Sequence, residues 1–228
     1  MNEVLLNRQS SYLYLFTSMK TLNILCTLFI FLCLGSSVKG QYNWVLKKDK
    51  EGIKVSSRHS DRSKFNDIKV EMDLPGNIYQ LLNILLDVDK YSQWSYSVSK
   101  SELVKKINPL KLVYHLEVTA PWPVTDRDLY ATFVVNIDSV ARSIRIVAAG
   151  DSSYRPVNKN FIRIPHSNGI WDIKTVSNKI IHIVYILEID PGGSVPAWIM
   201  NMFGTKAPFI TFQNLKHKMI LLNPGVMD

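Results

Sequence analysis

From residue 103 to residue 190, apolar and polar side chains alternate through one segment after another, with no helical period between them. Alternation at period two marks strands with one buried face. Leu112, Tyr114, Leu116 and Val118 share a face, with His115, Glu117 and Thr119 opposite. Leu129, Ala131, Phe133, Val135 and Ile137 share the next. Residues 143–149 and 161–164 read as shorter strands, and 170–176 as a further one. Residues 180–189 form the longest, with Ile181, Ile183, Tyr185, Leu187 and Ile189 on one side. Strands in direct succession predict an antiparallel, strongly curved sheet.

The flanks add helices. Trp44-Val-Leu and Ile53-Lys-Val bracket a turn at Asp49-Lys-Glu-Gly52, a hairpin signal. Ile68, Val70, Met72 and Leu74 alternate with Lys69, Glu71 and Asp73. Pro75-Gly76 then breaks the strand, and Asn77 caps a helix striped by Ile78, Leu81, Leu82 and Leu85. After the turn Asp190-Pro-Gly-Gly193, Pro196 suits the start of a long C-terminal helix. Trp198, Met202, Phe209, Phe212 and Met219 line one side of it, and Ile199, Phe203 and Ile210 widen the apolar surface. So apolar a helix must cover a large hydrophobic face, and the sheet is the candidate. Gly204 and Pro208 predict a kink or break between them. The fold class expected is α+β, a curved antiparallel sheet gripping a long C-terminal helix.

The first 40 residues read as an address. Met19-Lys20 supplies a start with positive charge, residues 22–34 are mostly apolar, and Val38 and Gly40 precede a cut before Gln41. A spanning helix needs about 20 apolar residues, so this run is short for an anchor, although a retained N-terminal anchor is the alternative. The expectation is a signal peptide over 1–40, started at Met19, and a single domain over 41–228. The mature domain would be exported, to a periplasm or secreted. Residues 1–40 hold three basic side chains and one acidic, so their loss lowers the formal net charge from +8 to +6. That balance favours transient contact with an anionic membrane surface. The basic residues are scattered, and no nucleic-acid partner is expected of an exported protein.

Both cysteines, Cys26 and Cys33, fall within that segment, which excludes a disulfide scaffold, a cysteine-ligated metal and a thiol nucleophile from the remainder. No Gly-x-Ser-x-Gly elbow, His-Glu-x-x-His or phosphate-binding glycine loop is present. His115 and Glu117 read as a solvent-facing pair on the polar side of the sheet. No metal or cofactor is expected.

Pro121-Trp-Pro-Val-Thr-Asp-Arg-Asp128 resembles a motif of the START family, lipid-transfer domains related to steroidogenic acute regulatory protein. Trp44 with the Asp49–Val55 hairpin, Leu85-Leu-Asp-Val-Asp-Lys-Tyr-Ser-Gln-Trp94, Gly169-Ile-Trp171, Asp190-Pro-Gly-Gly193 and Pro196-Ala-Trp198 are similar to further landmarks in order. The resemblance implies a helix-grip fold with an internal hydrophobic cavity for one lipid, a sterol, a phospholipid or another apolar ligand. It implies binding or transfer, without covalent chemistry. A monomer is expected. The candidate cavity wall is Tyr114, Leu116, Phe133, Val135, Trp171, Ile173, Tyr185 and Leu187 from the sheet. The helix adds Trp198, Met202, Phe203, Phe209 and Phe212. In the motif itself, Trp122 is expected to plug one end of the sheet, and Arg127 to pair with its flanking carboxylates at the rim. An enzyme on the same fold, a cyclase or hydratase of a hydrophobic substrate, is the rival reading. It would need an ionisable group on the cavity face, whereas the alternation puts His115, Glu117, His182 and Glu188 on the other.

Overall fold

The computed structural model describes residues 43–196, 199 and 202–224, with residue 202 by its backbone alone. The expected signal segment and Trp198 lie outside the described residues. The chain opens with a hairpin of β1 (Val45–Lys50) and β2 (Ile53–Arg58), followed by β3 (Asp67–Pro75). Glu51 and Gly52 turn the hairpin with φ of 57° and 73°, a conformation glycine adopts at no steric cost. Helix α1 (Ile78–Leu86) follows, then a 3-10 helix over Val88–Gln93. Asn77 starts α1 as a capping box: its side chain accepts from Tyr79 and Gln80 N–H groups, and Gln80 returns a bond to the Asn77 N–H.

Strands β4 (Val98–Asn108), β5 (Lys111–Val118), β6 (Arg127–Asp138) and β7 (Ser143–Gly150) come next. The short β8 (Ile162–Arg163) precedes the long β9 (His166–Ser177) and β10 (Ile180–Asp190). All belong to one ten-stranded sheet, ordered β1-β2-β3-β10-β9-β7-β6-β5-β4, with β8 pairing β6 in parallel. The other pairings are antiparallel. Register puts Tyr185 opposite Trp171, Trp171 opposite Ile146, Leu112 opposite Phe133 and Tyr114 opposite Ala131. The expected face of each strand is therefore the inner one.

The C-terminal helix is α-helical from Ala207 to Leu222, here α2, with Pro208 in its first turn, where a missing N–H costs nothing. Met202–Lys206 ahead of it are wound as a wider π-helical turn. The break expected between Gly204 and Pro208 thus takes the form of a change in winding. Ala207, Phe209, Phe212, Leu215 and Met219 are the buried side of α2, which packs on β2 and β3. Four side-chain bonds hold it there. Lys216 Nζ donates to the Glu51 carbonyl at 2.6 Å, and Gln213 Nε2 to the Glu51 carboxylate at 2.7 Å. Asn214 Nδ2 donates to the Trp94 carbonyl, and the Tyr96 N–H to Thr211 Oγ1, each at 2.9 Å.

Candidate functional site

The inner face of the sheet divides into a closed half and an open half. Towards the β6–β7 and β9–β10 turns it is shut: Leu112, Phe133, Val135, Ile144, Ile173, Ile181 and Ile183 are buried. Towards the other end the same face opens. Leu116 and Val118 on β5, and Tyr185, Leu187 and Ile189 on β10, point inward yet stay half-buried. Phe203 and Ile210 of the C-terminal helical segment are half-buried as well. These apolar inner-face residues keep part of their surface bare, whereas those of the closed half do not.

Aromatic rings stand where the two halves meet. Trp171 and Tyr185 lie 4.5 Å apart between centroids, and Phe212 reaches down from α2 to 5.2 Å from Trp171 and 5.4 Å from Tyr185. A second chain of rings runs from Trp94 through Tyr91 (5.1 Å) and Tyr114 (5.8 Å) to Phe133 (6.4 Å). Of the candidate wall, Tyr114, Phe133, Val135, Trp171, Ile173, Phe209 and Phe212 are buried, and Leu116, Tyr185, Leu187 and Phe203 half-buried. Trp198 and the Met202 side chain lie outside the described residues. Phe209 sits at the β1 edge, capped by Lys48 Nζ 3.6 Å from its ring centroid, so it is further from the aromatic junction than the sequence suggests. Tyr91 and Trp94 were missing from the candidate wall. Their i, i+3 spacing on the turn after α1 was the available signal.

Charge is sparse on the central strands of this face. On the inner side of β2, β3, β5, β6, β7, β9 and β10 the one charged side chain among the described residues is Arg127, at the rim. Its expected pairing with Asp126 and Asp128 does not occur. Arg127 donates Nε to the Pro191 carbonyl (3.4 Å), Nη2 to Gly192 (3.3 Å) and Nη1 to Thr125. Adjacent strand residues point to opposite faces, so Asp128 is out of its reach. Burial holds the Arg127 guanidinium below its ordinary range, with Asp126 pulling the other way. The side chain ties the 119–126 loop to the 191–193 turn, where Gly192 and Gly193 have φ of 69° and 62°. Trp122 does not plug the sheet. It stands 89% exposed at the tip of its loop.

Asp128 turns outward and meets Arg163, which grips both carboxylate oxygens at 2.8 Å. His115 is also on the outer face as expected, but buried at 6% exposure, not solvent-facing. Tyr130 stacks on it at 4.3 Å and Tyr154, from the 151–161 loop, stacks on Tyr130 at 5.3 Å, so the loop covers this part of the face. The His115 nitrogens approach Glu102 (3.3 Å) and Asp128 (3.5 Å) without hydrogen-bond geometry. Glu117 lies 3.8 Å from Lys100, His182 Nδ1 is 2.6 Å from Asp73, and Glu188 meets Arg58 and Arg62, all on the outer side. Among the described residues no cluster of three or more His, Cys, Asp or Glu is placed to hold a metal ion.

Comparison with known proteins agrees with this geometry. The START domain model matches residues 38–218. The Pseudomonas aeruginosa protein PA1579 is 28% identical over 174 residues, covering 76% of this chain and 85% of that protein. The mouse phosphatidylcholine transfer protein is 27% identical over 163 residues, 70% of this chain and 75% of its own length. The crystal structure of a STAR-related lipid transfer protein fragment from Xanthomonas axonopodis superposes with a TM-score of 0.71 at 30% identity, covering 77% of this chain and 98% of that one. With the family model spanning nearly all the described strands and α2, and the sheet gripping that helix as the PWPVTDRD motif implied, the chain belongs to the START family.

Proposed function

We propose that this chain binds one apolar lipid in the space between sheet and helix and carries it between membranes, without covalent chemistry. The observation that carries this is the open half of the inner face, lined by Leu116, Val118, Tyr185, Leu187 and Ile189, with Arg127 at its rim. Each buried CH₂ of a ligand contributes about 0.8 kcal/mol, so one ordinary acyl chain supplies roughly 10 kcal/mol before ordering costs. The mouse and Xanthomonas relatives, both lipid transfer proteins, support the same reading. The ionisable outer-face residues sit away from this space, which favours carriage over catalysis. We place the domain outside the cytosol, cut before Gln41. Native mass spectrometry of protein from its own host tests both parts: a chain mass starting at Gln41 or a neighbour, with one lipid retained. A cytosolic chain starting at Met19, or a chain that never retains lipid, counts against the respective part.

Carriage needs a membrane contact, and Trp122 supplies a candidate. Its loop is stiffened by Pro121 and Pro123, by the Ala120 N–H donating to Asp126 Oδ1 (2.8 Å) and by the Val124 N–H donating to Pro121 (3.0 Å). An indole on such a tip suits the lipid–water interface, where its ring is buried and its N–H stays wet. Trp122→Ser is expected to weaken binding to anionic vesicles about fivefold to tenfold, through about 1 kcal/mol of lost interfacial burial. Lipid already loaded should stay bound. Equal cosedimentation of variant and wild type with the vesicles would exclude this loop as the contact.

A further inference from the structure

The turns at the closed end of the sheet gather cations and bare apolar side chains. The Leu110 carbonyl accepts the Val135 N–H at 2.8 Å, the Arg142 carbonyl accepts the Thr175 N–H at 3.1 Å, and the Lys179 carbonyl accepts the Gly76 N–H at 2.7 Å. These bonds set the β4–β5, β6–β7 and β9–β10 turns and the start of α1 side by side. Residues 103–111, 137–142 and 174–179 carry Lys105, Lys106, Lys111, Arg142, Lys174 and Lys179 against one carboxylate, Asp138. Among the described residues none of these six cations has an ion-pair partner or a side-chain hydrogen bond. Ile107, Leu110, Ile137, Val140 and Val176 are exposed on the same turns, Val140 at 98%. Single bare apolar residues are ordinary on a surface, but five on neighbouring turns form a patch.

A recess of about 320 Å³ opens among these turns. Its wall includes Ile78 and Tyr79 of α1, Ile137 and Arg142 around the β6–β7 turn, and Thr175 and Ser177 of β9. Asp138 also lines it, with one oxygen taken by the Ala141 N–H at 2.8 Å. An unpaired guanidinium beside hydroxyls suits the oxygens of a phosphate. Exposed isoleucine, valine and an exposed tyrosine ring suit the layer just beneath lipid headgroups. The other end of the molecule is different in charge: residues 119–126 and 190–193, around the opening, hold no lysine or arginine. Strand β6 joins the two ends, from Arg127 at the rim of the opening to Asp138 on the wall of the recess. Its 12 residues, at about 3.3 Å each, hold the ends about 35 Å apart. A flat bilayer facing the opening has the closed end turned away from it.

We propose that the closed end is a second membrane-docking surface, that it takes an anionic bilayer with a lipid phosphate seated at the Arg142 recess, and that the protein thereby bridges two bilayers, one at each end. This rests on the carriage reading and adds a partner surface to it. The six cations draw the surface to anionic lipid, and the bare side chains of the turns enter the interface once it is there. Charge complementarity selects the occupant: a surface of six cations and one carboxylate repels a second copy of itself. Bridging brings the opening of a held molecule close to the second membrane, so that a lipid crosses without free diffusion of the carrier.

The test uses protein purified from its own host and vesicles of phosphatidylcholine with about one-third phosphatidylglycerol. Wild type is expected to cluster these vesicles, read by light scattering, and to leave pure phosphatidylcholine vesicles dispersed. Lys105→Gln with Lys106→Gln and Arg142→Gln should abolish clustering, yet cosediment with the vesicles much as wild type does, through the Trp122 loop. Its thermal midpoint should match that of wild type, since none of the three side chains has a bond to lose. In Trp122→Ser the closed end carries the binding that remains. Adding the three glutamines to that variant should cut the remainder about a hundredfold, at about fivefold per cation. Clustering that survives the three glutamines, or a wild type that binds vesicles without clustering them, overturns the second surface. A concentration-dependent dimer without vesicles, lost in the triple variant, also overturns it and makes the occupant a second copy. So does Trp122→Ser that binds polyglutamate but not vesicles, which makes the occupant an acidic protein. Each of these results leaves lipid binding standing, because that is read separately from the lipid retained in native mass spectrometry.

Discussion

Arg163→Met lowers the thermal midpoint by about 10 °C, the equivalent of about 3–5 kcal/mol for a domain of this size. The guanidinium donates Nε and Nη2 to the two oxygens of Asp128 at 2.8 Å, and Nη1 to the Ser152 and Arg155 carbonyls at 3.0 Å. The paired side chains are 6% and 4% exposed, so water screens little of the attraction. The bond to Asp128 also holds the Arg163 guanidinium above its ordinary range. Removing the cation strands a carboxylate in the interior, beside His115 and Tyr130, and that stranded charge dominates the loss. The guanidinium also lies 4.8 Å from the Tyr130 ring centroid, and its two carbonyl bonds pin the loop that brings Tyr154 onto Tyr130. Replacing both partners, Arg163→Met with Asp128→Leu, should therefore cost less than the single change, because no unpaired ion remains. A midpoint for Arg163→Met within 2 °C or so of wild type would show that the pair contributes nothing net.

The contrast between this network and the inner wall shows where the sequence was informative. Strand parity follows from local alternation, so Tyr114, Phe133, Trp171 and Tyr185 could be put on one face from neighbouring residues alone. The Asn77 cap was equally local. The fate of Asp126, Arg127 and Asp128 was not. Their nearness in sequence suggests mutual pairing, but a strand sends neighbours to opposite faces, and the true partner of Asp128 lies 35 residues onward, on the short strand β8. The loop ahead of β8 covers His115, whose direction could be read and whose burial could not. Trp122 was expected to plug one end of the sheet, but where a loop tip ends up depends on contacts such as Arg127 to the 191–193 turn, which join distant segments. In the C-terminal segment Gly204 and Pro208 marked the change of winding, while apolar residues on several sides hid where α2 begins.

Phe212→Ala is expected to destabilise the lipid-free protein by about 3–5 kcal/mol and the lipid-loaded protein by distinctly less. Phe212 is 1% exposed and packs on both Trp171 and Tyr185. Truncation deletes the ring that joins α2 to β9 and β10 at the junction of the closed and open halves. The cost of such a cavity depends on how far the surroundings can collapse into it. Here they are held apart: Lys216 and Gln213 tie the helix to Glu51, and Thr211 and Asn214 tie it to the 94–96 segment, on either side of the missing ring. The void should stay open and the loss lie near the upper end of that range. A hydrocarbon chain in the adjoining space can extend into the void and restore contacts with Trp171 and Tyr185, so the variant gains more from ligand than wild type does. Thermal midpoints of stripped and loaded protein, wild type and Phe212→Ala, give the comparison directly. An equal drop in both states would mean that Phe212 belongs to a closed core with no ligand beside it, and the wall drawn through Trp171, Tyr185 and Phe212 would have to be moved.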